Sequence, residues 1–460
     1  MGAKRRAIGK IAGSARPYLA PFLSLLAAFL FLSVLRASLF SAVDADKRIW
    51  FELSFLLLSA ILANLLVVHL RQPTVMVLLI VGMLISPGSV ALLYPFLAGG
   101  ANYLASIAFG FAPFPSTVPR LVSNEGIVAV FAQLGAIILL FKIGLECEFH
   151  GIFNVRNFAV GLLGVILPFV AGFHYATLTG HPLGYAVFLA AALTATSVGV
   201  TVAVLSELKV MEREFARVIV GAAVIDDVLA LLVLSLVRNL PTGLDAAALA
   251  PVGLTALAAL VFIAGGIAIG RFVVEKYFNG SLGEKEFLGI LAYTFAYAYV
   301  AEFIGLSAIV GAFIAGLTLN FGTNSKGIFA LFAPLESFFT PIFFISLGML
   351  LNVTALAQNI VPIIAITLIA ALTKVLACSF ASGISGMKWK DSLTVGIGMI
   401  PRGEIALIIG LYGLTALGPD GKAILGPAEY AIIASMAFLT TVMVPPLLTR
   451  VVGKDSATPN

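Results

Sequence analysis

The sequence contains little charge and few residues suited to a disulfide framework or a metal cluster. Charged residues make up 11% of the 460 residues, whereas hydrophobic residues make up 61%. A soluble chain of this length would carry more charge and would alternate amphipathic segments with polar loops. Cys147 and Cys378 are too few for a disulfide framework, and the 4 histidines are scattered without metal-ligand spacing. We therefore expect a protein of the lipid bilayer that carries no cofactor.

The positive charge is modest and is spread over short loops. The formal net charge is +5, and no basic patch of the kind that binds nucleic acid is present. The distribution is better explained by the rule that cytoplasmic loops are rich in Lys and Arg. With a basic N-terminus in the cytoplasm and an even number of spans, we expect a multi-pass protein of the plasma membrane with both termini cytoplasmic.

Apolar runs near the length of a membrane-spanning helix recur along the chain, and they predict about 13–14 such helices. The candidate spans lie near 17–35, 51–70, 73–92, 127–147, 155–178, 183–206, 214–238, 249–272, 285–304, 305–320, 328–350, 358–384, 391–416 and 428–450. The first run favours a retained helix over a cleaved signal sequence. Residues 93–117 are apolar but broken by Gly and Pro, which favours a re-entrant or interfacial loop.

Two adjacent acids, Asp226 and Asp227, lie in the middle of an apolar span between Arg217 and Arg238. Each apolar residue gains roughly 0.3–0.6 kcal/mol on insertion and each central charge loses roughly 2.5–3.5 kcal/mol, so the span is near break-even. The acids could be structural and satisfied by neighbouring helices, but intramembrane carboxylates usually mark an ion or proton path. Lys374, inside another apolar span, is the expected partner of one of them. The other carboxylate would then be available to a small cation or a proton.

Two further spans contain residues that interrupt a helix. The hydroxyl-bearing residues of the first, within 192–204, are Thr194, Thr196, Ser197 and Thr201. Its alternative interpretation is a close helix contact through small residues. The second, within 396–410, contains Pro401, Arg402 and Glu404, and its alternative interpretation is an internal Arg–Glu ion pair. Carbonyls and half-helix ends freed at such interruptions are suited to holding cations.

The order of span, interrupted span and span occurs twice. It runs over 155–178, 183–206 and 214–238, and again over 358–384, 391–416 and 428–450. Interrupted helices at matching positions of two halves indicate an inverted-repeat transporter whose site lies where the interruptions cross. The Asp pair and Lys374 would meet there, at the middle of the membrane.

Several segments are similar to those of a known transporter family. They are LLFKIGLE (139–146), LTATSVGVT (193–201), VIDDV (224–228), GLSAIVGAFIAGL (305–317), PIFFISLGM (341–349) and PRGE (401–404). On these residues the chain resembles the monovalent cation:proton antiporter-2 family, and in particular its sodium/proton members of the NapA type. The resemblance implies an all-α polytopic membrane protein with an inverted-repeat, NhaA-like antiporter fold and two crossed interrupted helices. It also implies that Asp227 is the ion-carrying acid and that Asp226, paired with Lys374, takes part with it in binding Na⁺ and protons.

The resemblance also implies a division of the chain and a homodimer. The implied parts are an N-terminal segment with an extra helix (1–50), scaffold and dimerisation helices (51–150 and 281–355), an ion-transport core (151–240 and 356–452), a linker helix (241–280) and a short cytoplasmic tail (453–460). Potassium/proton members of the Kef type commonly have Gln-Asp in place of Asp-Asp and a cytoplasmic nucleotide-binding domain, which we do not expect here. Lys142 stands where the family usually has an apolar residue, and the sequence assigns it no role.

The function that the resemblance implies is exchange of Na⁺ or Li⁺ for protons by alternating access, and not enzymatic catalysis. Two carboxylates and one ammonium titrate as a coupled unit. With sodium bound their charges sum to zero, whereas with two protons bound they sum to plus one, which predicts electrogenic exchange of two protons per sodium ion. A potassium/proton antiporter of the same family is the main alternative. A channel fits these residues less well. An intramembrane aspartyl protease also fits less well, because it needs its two acids on two facing helices, whereas Asp226 and Asp227 are adjacent on one.

Overall fold

The computed structural model describes twelve stretches of the chain. They are residues 36–40, 45–70, 73–111, 114–122, 125–146, 154–239, 246–277, 284–304, 306–320, 325–351, 353–417 and 422–452. Within them the chain is helical apart from connecting turns, and β-structure is limited to an isolated bridge between Leu417 and Ala423. The predicted first span at 17–35, Cys147 and the tail 453–460 lie outside the described residues.

The helices follow the apolar runs of the sequence. In chain order they are α1 (Ala45–Leu70), α2 (Thr74–Ile85), α3 (Pro87–Phe109), α4 (Glu125–Glu146), α5 (Val155–Leu178), α6 (Leu183–Thr194), α7 (Val198–Glu207), α8 (Glu214–Asn239), α9 (Ala246–Tyr277), α10 (Glu284–Phe303), α11 (Ala308–Leu319), α12 (Ser325–Met349), α13 (Val353–Gln358), α14 (Ile360–Ile384), α15 (Trp389–Gly398), α16 (Glu404–Thr415) and α17 (Pro427–Val452). Within the described part, 8 segments are long and apolar enough to cross a bilayer. The predicted all-α, multi-pass membrane fold is confirmed.

Both predicted interruptions are present. The span at 183–206 is divided into α6 and α7 by residues 195–197, and the span at 391–416 is divided into α15 and α16 by residues 399–403. Pro401 lacks an amide hydrogen and Gly403 disfavours a helix interior, so the second interruption follows from its sequence. Each interruption leaves backbone groups that must find partners in other helices, because lipid offers none.

The segment after α2 differs from the prediction in two ways. The single span expected at 73–92 is divided at Ser86 into α2 and α3. The loop expected at 93–117 is wrong for residues 93–109, which continue α3 as regular helix with Pro95 inside it. A helix surrounded by lipid keeps its remaining backbone bonds even where a proline removes one, so Gly and Pro are weaker helix breakers there than in a soluble chain.

Contacts divide the chain into two units, 1–55 with 90–125 and 56–89 with 126–460. In the described part of the first unit, Arg48 is the main polar centre: its Nε donates to Glu52 Oε1 at 3.0 Å and its Nη1 to the Ser38 carbonyl at 2.9 Å. Its Nη2 donates to the carbonyl of Arg120. This one buried guanidinium therefore ties three separate segments of the first unit together.

Within the second unit the helices form two packing groups. In one group α5 packs against α6, α8 and α14, α14 packs against α15 and α17, and α16 packs against α6 and α17. In the other group α2 packs against α12, and α11 packs against α9 and α10; the two groups are in contact through α8 with α9 and through α17 with α2. The helices α4 and α11 approach closely, since a Cβ added to Gly144 would lie 2.8 Å from the Leu317 nitrogen. The first group contains both interruptions and is called the interrupted-helix group below.

Candidate ion-binding site

The two adjacent acids lie near the middle of α8 and are both buried. Asp226 is 0% exposed and Asp227 is 8% exposed. Consecutive residues of a helix point about 100° apart, so the two carboxylates face different surroundings. Asp226 faces α14, where Lys374 is also fully buried, and Lys374 Nζ donates to Asp226 Oδ1 at 2.6 Å. The structure thus joins the lysine to the first acid of the pair, 148 residues away in the chain.

The ion pair is enclosed on the side of α5 by a glycine. A Cβ added to Gly164 would lie 3.2 Å from Lys374 Nζ and 3.0 Å from Cys378 Sγ. The second oxygen of Asp226, Oδ2, has no hydrogen-bond partner among the described residues. A charge-assisted hydrogen bond satisfies one oxygen of this carboxylate. The other oxygen can still accept a hydrogen bond or a proton.

Asp227 borders a small cavity beside the first interruption. The cavity has a volume of about 20 Å³, which is enough for one water-sized particle. Its lining residues are Leu140, Thr196, Ser197, Val198, Gly199, Asp227, Ile309, Phe343 and Ile405. The wall therefore combines one carboxylate and the interruption on one side with apolar side chains of α4, α11 and α12 on the other.

The hydroxyl groups of the first interruption have separate roles. Thr194 donates to the Ala191 carbonyl of its own helix at 2.7 Å, and Thr201 donates across to the Gly398 carbonyl at 2.7 Å. Thr196 is 5% exposed, and its hydroxyl has no hydrogen-bond partner within the part of the chain that the structure describes. Of the predicted threonines, Thr196 is thus the one whose buried oxygen stays available at the cavity.

The two interruptions cross in direct backbone contact. The amide of Ser197 donates to the Pro401 carbonyl at 2.8 Å. A Cβ added to Gly403 would lie 2.5 Å from the Ser197 Cβ, so the crossing needs a residue without a side chain at this position. The φ of Gly403, −134°, lies outside the left-handed region, so the glycine is required by the close approach and not by a positive φ.

Arg402 occupies the second interruption with its guanidinium buried at 1% exposure. Its Nη1 donates to the Ile400 carbonyl at 3.1 Å, and its Nη2 donates to the Ala370 carbonyl of α14 at 3.0 Å. The alternative of an ion pair with Glu404 involves a side chain outside the described ones. The described partners of the guanidinium are carbonyl groups, so Arg402 supplies one donor to the interruption, whose backbone has lost helical hydrogen bonds, and one to α14.

Sequence reasoning missed two threonines of α17 that contact this interruption. The amide of Arg402 donates to Thr440 Oγ1 at 3.3 Å, and Thr441 Oγ1 donates to the Arg402 carbonyl at 2.8 Å. Their signal in the sequence was a pair of adjacent hydroxyl residues inside an otherwise apolar span.

Lys142, which had no predicted role, forms an ion pair with Glu336. Its Nζ also lies 3.8 Å from the centre of the Phe329 ring, a cation–π geometry. Lys142 belongs to α4, whereas the other two residues belong to α12. This second intramembrane pair therefore joins two helices outside the interrupted-helix group.

Comparison with known proteins identifies the relatives of this arrangement. The family profile described as "Sodium/hydrogen exchanger, transmembrane" matches residues 54–452. The chain belongs to this family. Sodium/hydrogen exchangers are transporters, which agrees with the expectation that the chain is not an enzyme. The narrower assignment to the antiporter-2 family and to its NapA type stays a prediction.

Individual relatives of this sodium/hydrogen exchanger cover most of its length. It is 32% identical over 420 residues to the Na(+)/H(+)-K(+) antiporter GerN of Bacillus cereus, covering 90% of this chain and 98% of the relative. It is 31% identical to the high-affinity Na(+)/H(+) antiporter NhaS3 of Synechocystis sp., covering 87% of this chain and 91% of the relative. The solved sodium proton antiporter MjNhaP1 from Methanocaldococcus jannaschii shares the fold, with a TM-score of 0.61 at 16% identity over 87% of this chain and 96% of that one.

Proposed function

We propose that the protein exchanges Na⁺ or Li⁺ for protons by alternating access, with two protons moved for each sodium ion. The observation that carries the proposal is the place of Asp227, a buried carboxylate on a water-sized cavity at the crossing of two interrupted helices. A dehydrated cation and a proton would compete for the same carboxylate oxygens there. The names of relatives such as NhaS3 support cation and proton as the transported species.

The proposed binding shell consists of Asp227 and the oxygens nearest to it. Carboxylate, hydroxyl and carbonyl oxygens are the ligands that hard cations prefer. Asp227, Thr196 and Ser197 supply oxygens around the cavity, and they would bind Na⁺ with several oxygens at once. Asp226 and Lys374 would act as the charge partners beside this shell.

The charges of the site support a two-proton exchange. With Asp226, Asp227 and Lys374 charged, one bound Na⁺ brings their sum to zero, and two bound protons with the ammonium retained bring it to plus one. Arg402 adds one fixed positive charge in both states, so it does not change the difference between them. Transport would therefore move net charge, and a sodium gradient that drives proton flux without current in proteoliposomes would refute the two-proton stoichiometry.

Alternating access would require the interrupted-helix group to move against the other helices. The two packing groups of the second unit supply two candidate bodies for such motion. We propose that the interrupted-helix group is the ion-transport core, that the helices α2, α4 and α10–α12 belong to the scaffold, and that α9 is the linker helix. The homodimer, the plasma-membrane location and the cytoplasmic placement of both termini belong to the same proposal.

A potassium/proton antiporter remains the second candidate, because the name of the relative GerN includes potassium as well as sodium. Both candidates use the same carboxylate, and they differ in the cation that dissipates a proton gradient. The two are separated by a measurement of cation preference.

The test is fluorescence dequenching in everted membrane vesicles. Vesicles containing the wild-type protein are energised and then receive NaCl, LiCl or KCl, and we expect dequenching by NaCl and LiCl. Asp227→Asn should abolish it. Glu212→Gln, which removes a carboxylate from an exposed turn, is the matched control and should exchange normally. Wild-type exchange by the Asp227→Asn variant would refute the site, and dequenching by KCl alone would refute sodium as substrate.

A further inference from the structure

The second interruption depends on hydroxyl groups from a different helix. At residue 402 the chain has left α15 and has not yet entered α16, so its amide and carbonyl have no helical partners. Both groups are satisfied by neighbouring threonines of α17, the amide by Thr440 and the carbonyl by Thr441. Thr440 is 0% exposed and Thr441 is 4% exposed, so no solvent competes for these bonds.

Thr440 can accept a hydrogen bond from the Arg402 amide, because it donates its own hydrogen within α17. A hydroxyl has one hydrogen to donate and two lone pairs to accept with. Thr440 lies 2.9 Å from the Met436 carbonyl and 2.9 Å from the Ala437 carbonyl of its own helix, so its hydrogen is used there. Its oxygen is thereby oriented to accept from the Arg402 amide. Thr441 Oγ1 lies 2.8 Å from two carbonyl oxygens, those of Arg402 and Ala437, and they share its single hydrogen.

The amide held by Thr440 belongs to the same peptide unit as the carbonyl that contacts the first interruption. The atoms of a peptide unit lie in one plane, and the Arg402 amide shares its plane with the Pro401 carbonyl. That carbonyl accepts from the Ser197 amide at 2.8 Å, and Ser197 lines the cavity at Asp227. A rotation of this single peptide would therefore displace the wall of the cavity.

The chain next to this peptide is not fully enclosed by side chains. A second cavity of about 20 Å³ borders Arg402, Gly403 and Thr441. Close packing alone therefore does not fix the orientation of the peptide. Hydrogen bonds from α17 therefore act together with the bond from the Ser197 amide to select one orientation.

We propose that Thr440 and Thr441 are positioning residues of the ion site. They hold the peptide units on both sides of Arg402 in the orientation that places Ser197 at the Asp227 cavity. This inference rests on the proposed function, because it assigns the two threonines to the cation site of that exchange.

The first test compares the apparent KM for Na⁺ of exchange with its maximal rate. Thr440→Val keeps the shape of the side chain and removes the hydroxyl, and loss of one buried hydrogen bond should raise the KM by about tenfold. Thr440→Ser restores the hydroxyl and should keep a KM near the wild-type value. Thr367→Val is the control, because the buried Thr367 hydroxyl donates to the Ile363 carbonyl of its own helix at 2.6 Å.

The second test does not require transport. Hydrogen–deuterium exchange of a peptide that covers residues 399–405 includes the Arg402 amide, and Thr440→Val should speed the exchange of that one amide by about tenfold. Thr367→Val and Thr440→Ser should leave it unchanged. Thr441→Val, which leaves the Arg402 amide bond in place, should raise the KM with less effect on this amide.

The outcomes separate the two proposals. If the wild-type protein exchanges no cation for protons, the proposed function fails, and the positioning role falls with it. If the wild-type protein exchanges cations but Thr440→Val keeps the wild-type KM and amide protection, the inference alone is refuted. A KM that rises equally in Thr440→Ser and Thr440→Val would also refute it, because the effect would then not come from the hydroxyl.

Discussion

The ion pair between Lys374 and Asp226 should be among the strongest pairwise interactions in the protein. Both side chains are 0% exposed, and the pair is 2.6 Å long. Lys374→Met would leave a carboxylate buried without its cation, and Asp226→Asn would leave an ammonium buried without its anion. Removing one partner of a buried pair typically costs about 3–5 kcal/mol. We expect each single variant to be destabilised by an amount in this range.

The double variant Asp226→Asn/Lys374→Met should be more stable than the sum of the two single effects predicts. It buries no unpaired charge, and replacing a buried pair by neutral groups is often close to neutral in stability. The expected coupling energy is therefore at least about 3 kcal/mol. The pair between Arg156 and Glu214 has the same length, 2.6 Å, but its side chains are 26% and 60% exposed. As the matched control it should couple by only about 0–1 kcal/mol.

The measurement is a double-mutant cycle of unfolding in one detergent, followed by the fraction of monodisperse protein that remains after heating. Membrane proteins often unfold irreversibly, so the four proteins of each cycle are heated at one fixed rate, and the coupling is read as the non-additive shift of the apparent melting temperature relative to that of the surface pair. Additive single effects at Asp226 and Lys374 would refute the reasoning, and so would a coupling no larger than that of the surface pair. Transport by the double variant is not needed for either conclusion.

Three further predictions concern positions around the site. Gly403→Ala should lower both thermal stability and the rate of exchange, because the new Cβ would lie 2.5 Å from that of Ser197; normal values of both would contradict the crossing. Lys142→Met should lower the free energy of unfolding by about 1 kcal/mol. Adding Glu336→Gln to this variant should cause no further loss, and additive losses would show that the pair does not form. Glu207→Gln should cost about 1 kcal/mol in a thermal melt, since the Glu207 carboxylate caps the first turn of α2 at 3.1 Å; an unchanged melt would contradict that cap.

Sequence reasoning predicted correctly those features for which any other structure would carry a large energetic penalty. The interruptions at 195–197 and 399–403 follow from proline, glycine and hydroxyl residues in otherwise apolar spans. The partnership of Lys374 with one of the two acids follows from the cost of an unpaired charge in lipid. The choice of Asp226 over Asp227 was implied by the family resemblance and did not follow from the residue pattern, because it depends on how α8 and α14 are rotated against each other.

The features that were missed depend on contacts between distant parts of the chain. The partner of Lys142 could have been found, because Glu336 is a lone acid in an apolar span and the argument made for Lys374 applies to it equally. The carbonyl partner of Arg402 on α14 could not have been found, because any of several helices can offer a carbonyl. Residues 93–109 were interpreted as a loop because Pro95 and neighbouring glycines were weighted as they would be in water.

The ion pair also has a consequence for the biosynthesis of the protein. Lys374 is translated 148 residues after Asp226, an interval of roughly 7–30 s at about 5–20 residues per second. During that interval Lys374 is not yet available to pair with Asp226 of α8. The hydropathy of α8 alone barely supports its insertion into the bilayer. A nascent chain that ends before Lys374 should thus remain beside the translocon, and synthesis of α14 would complete the integration of a helix made long before it.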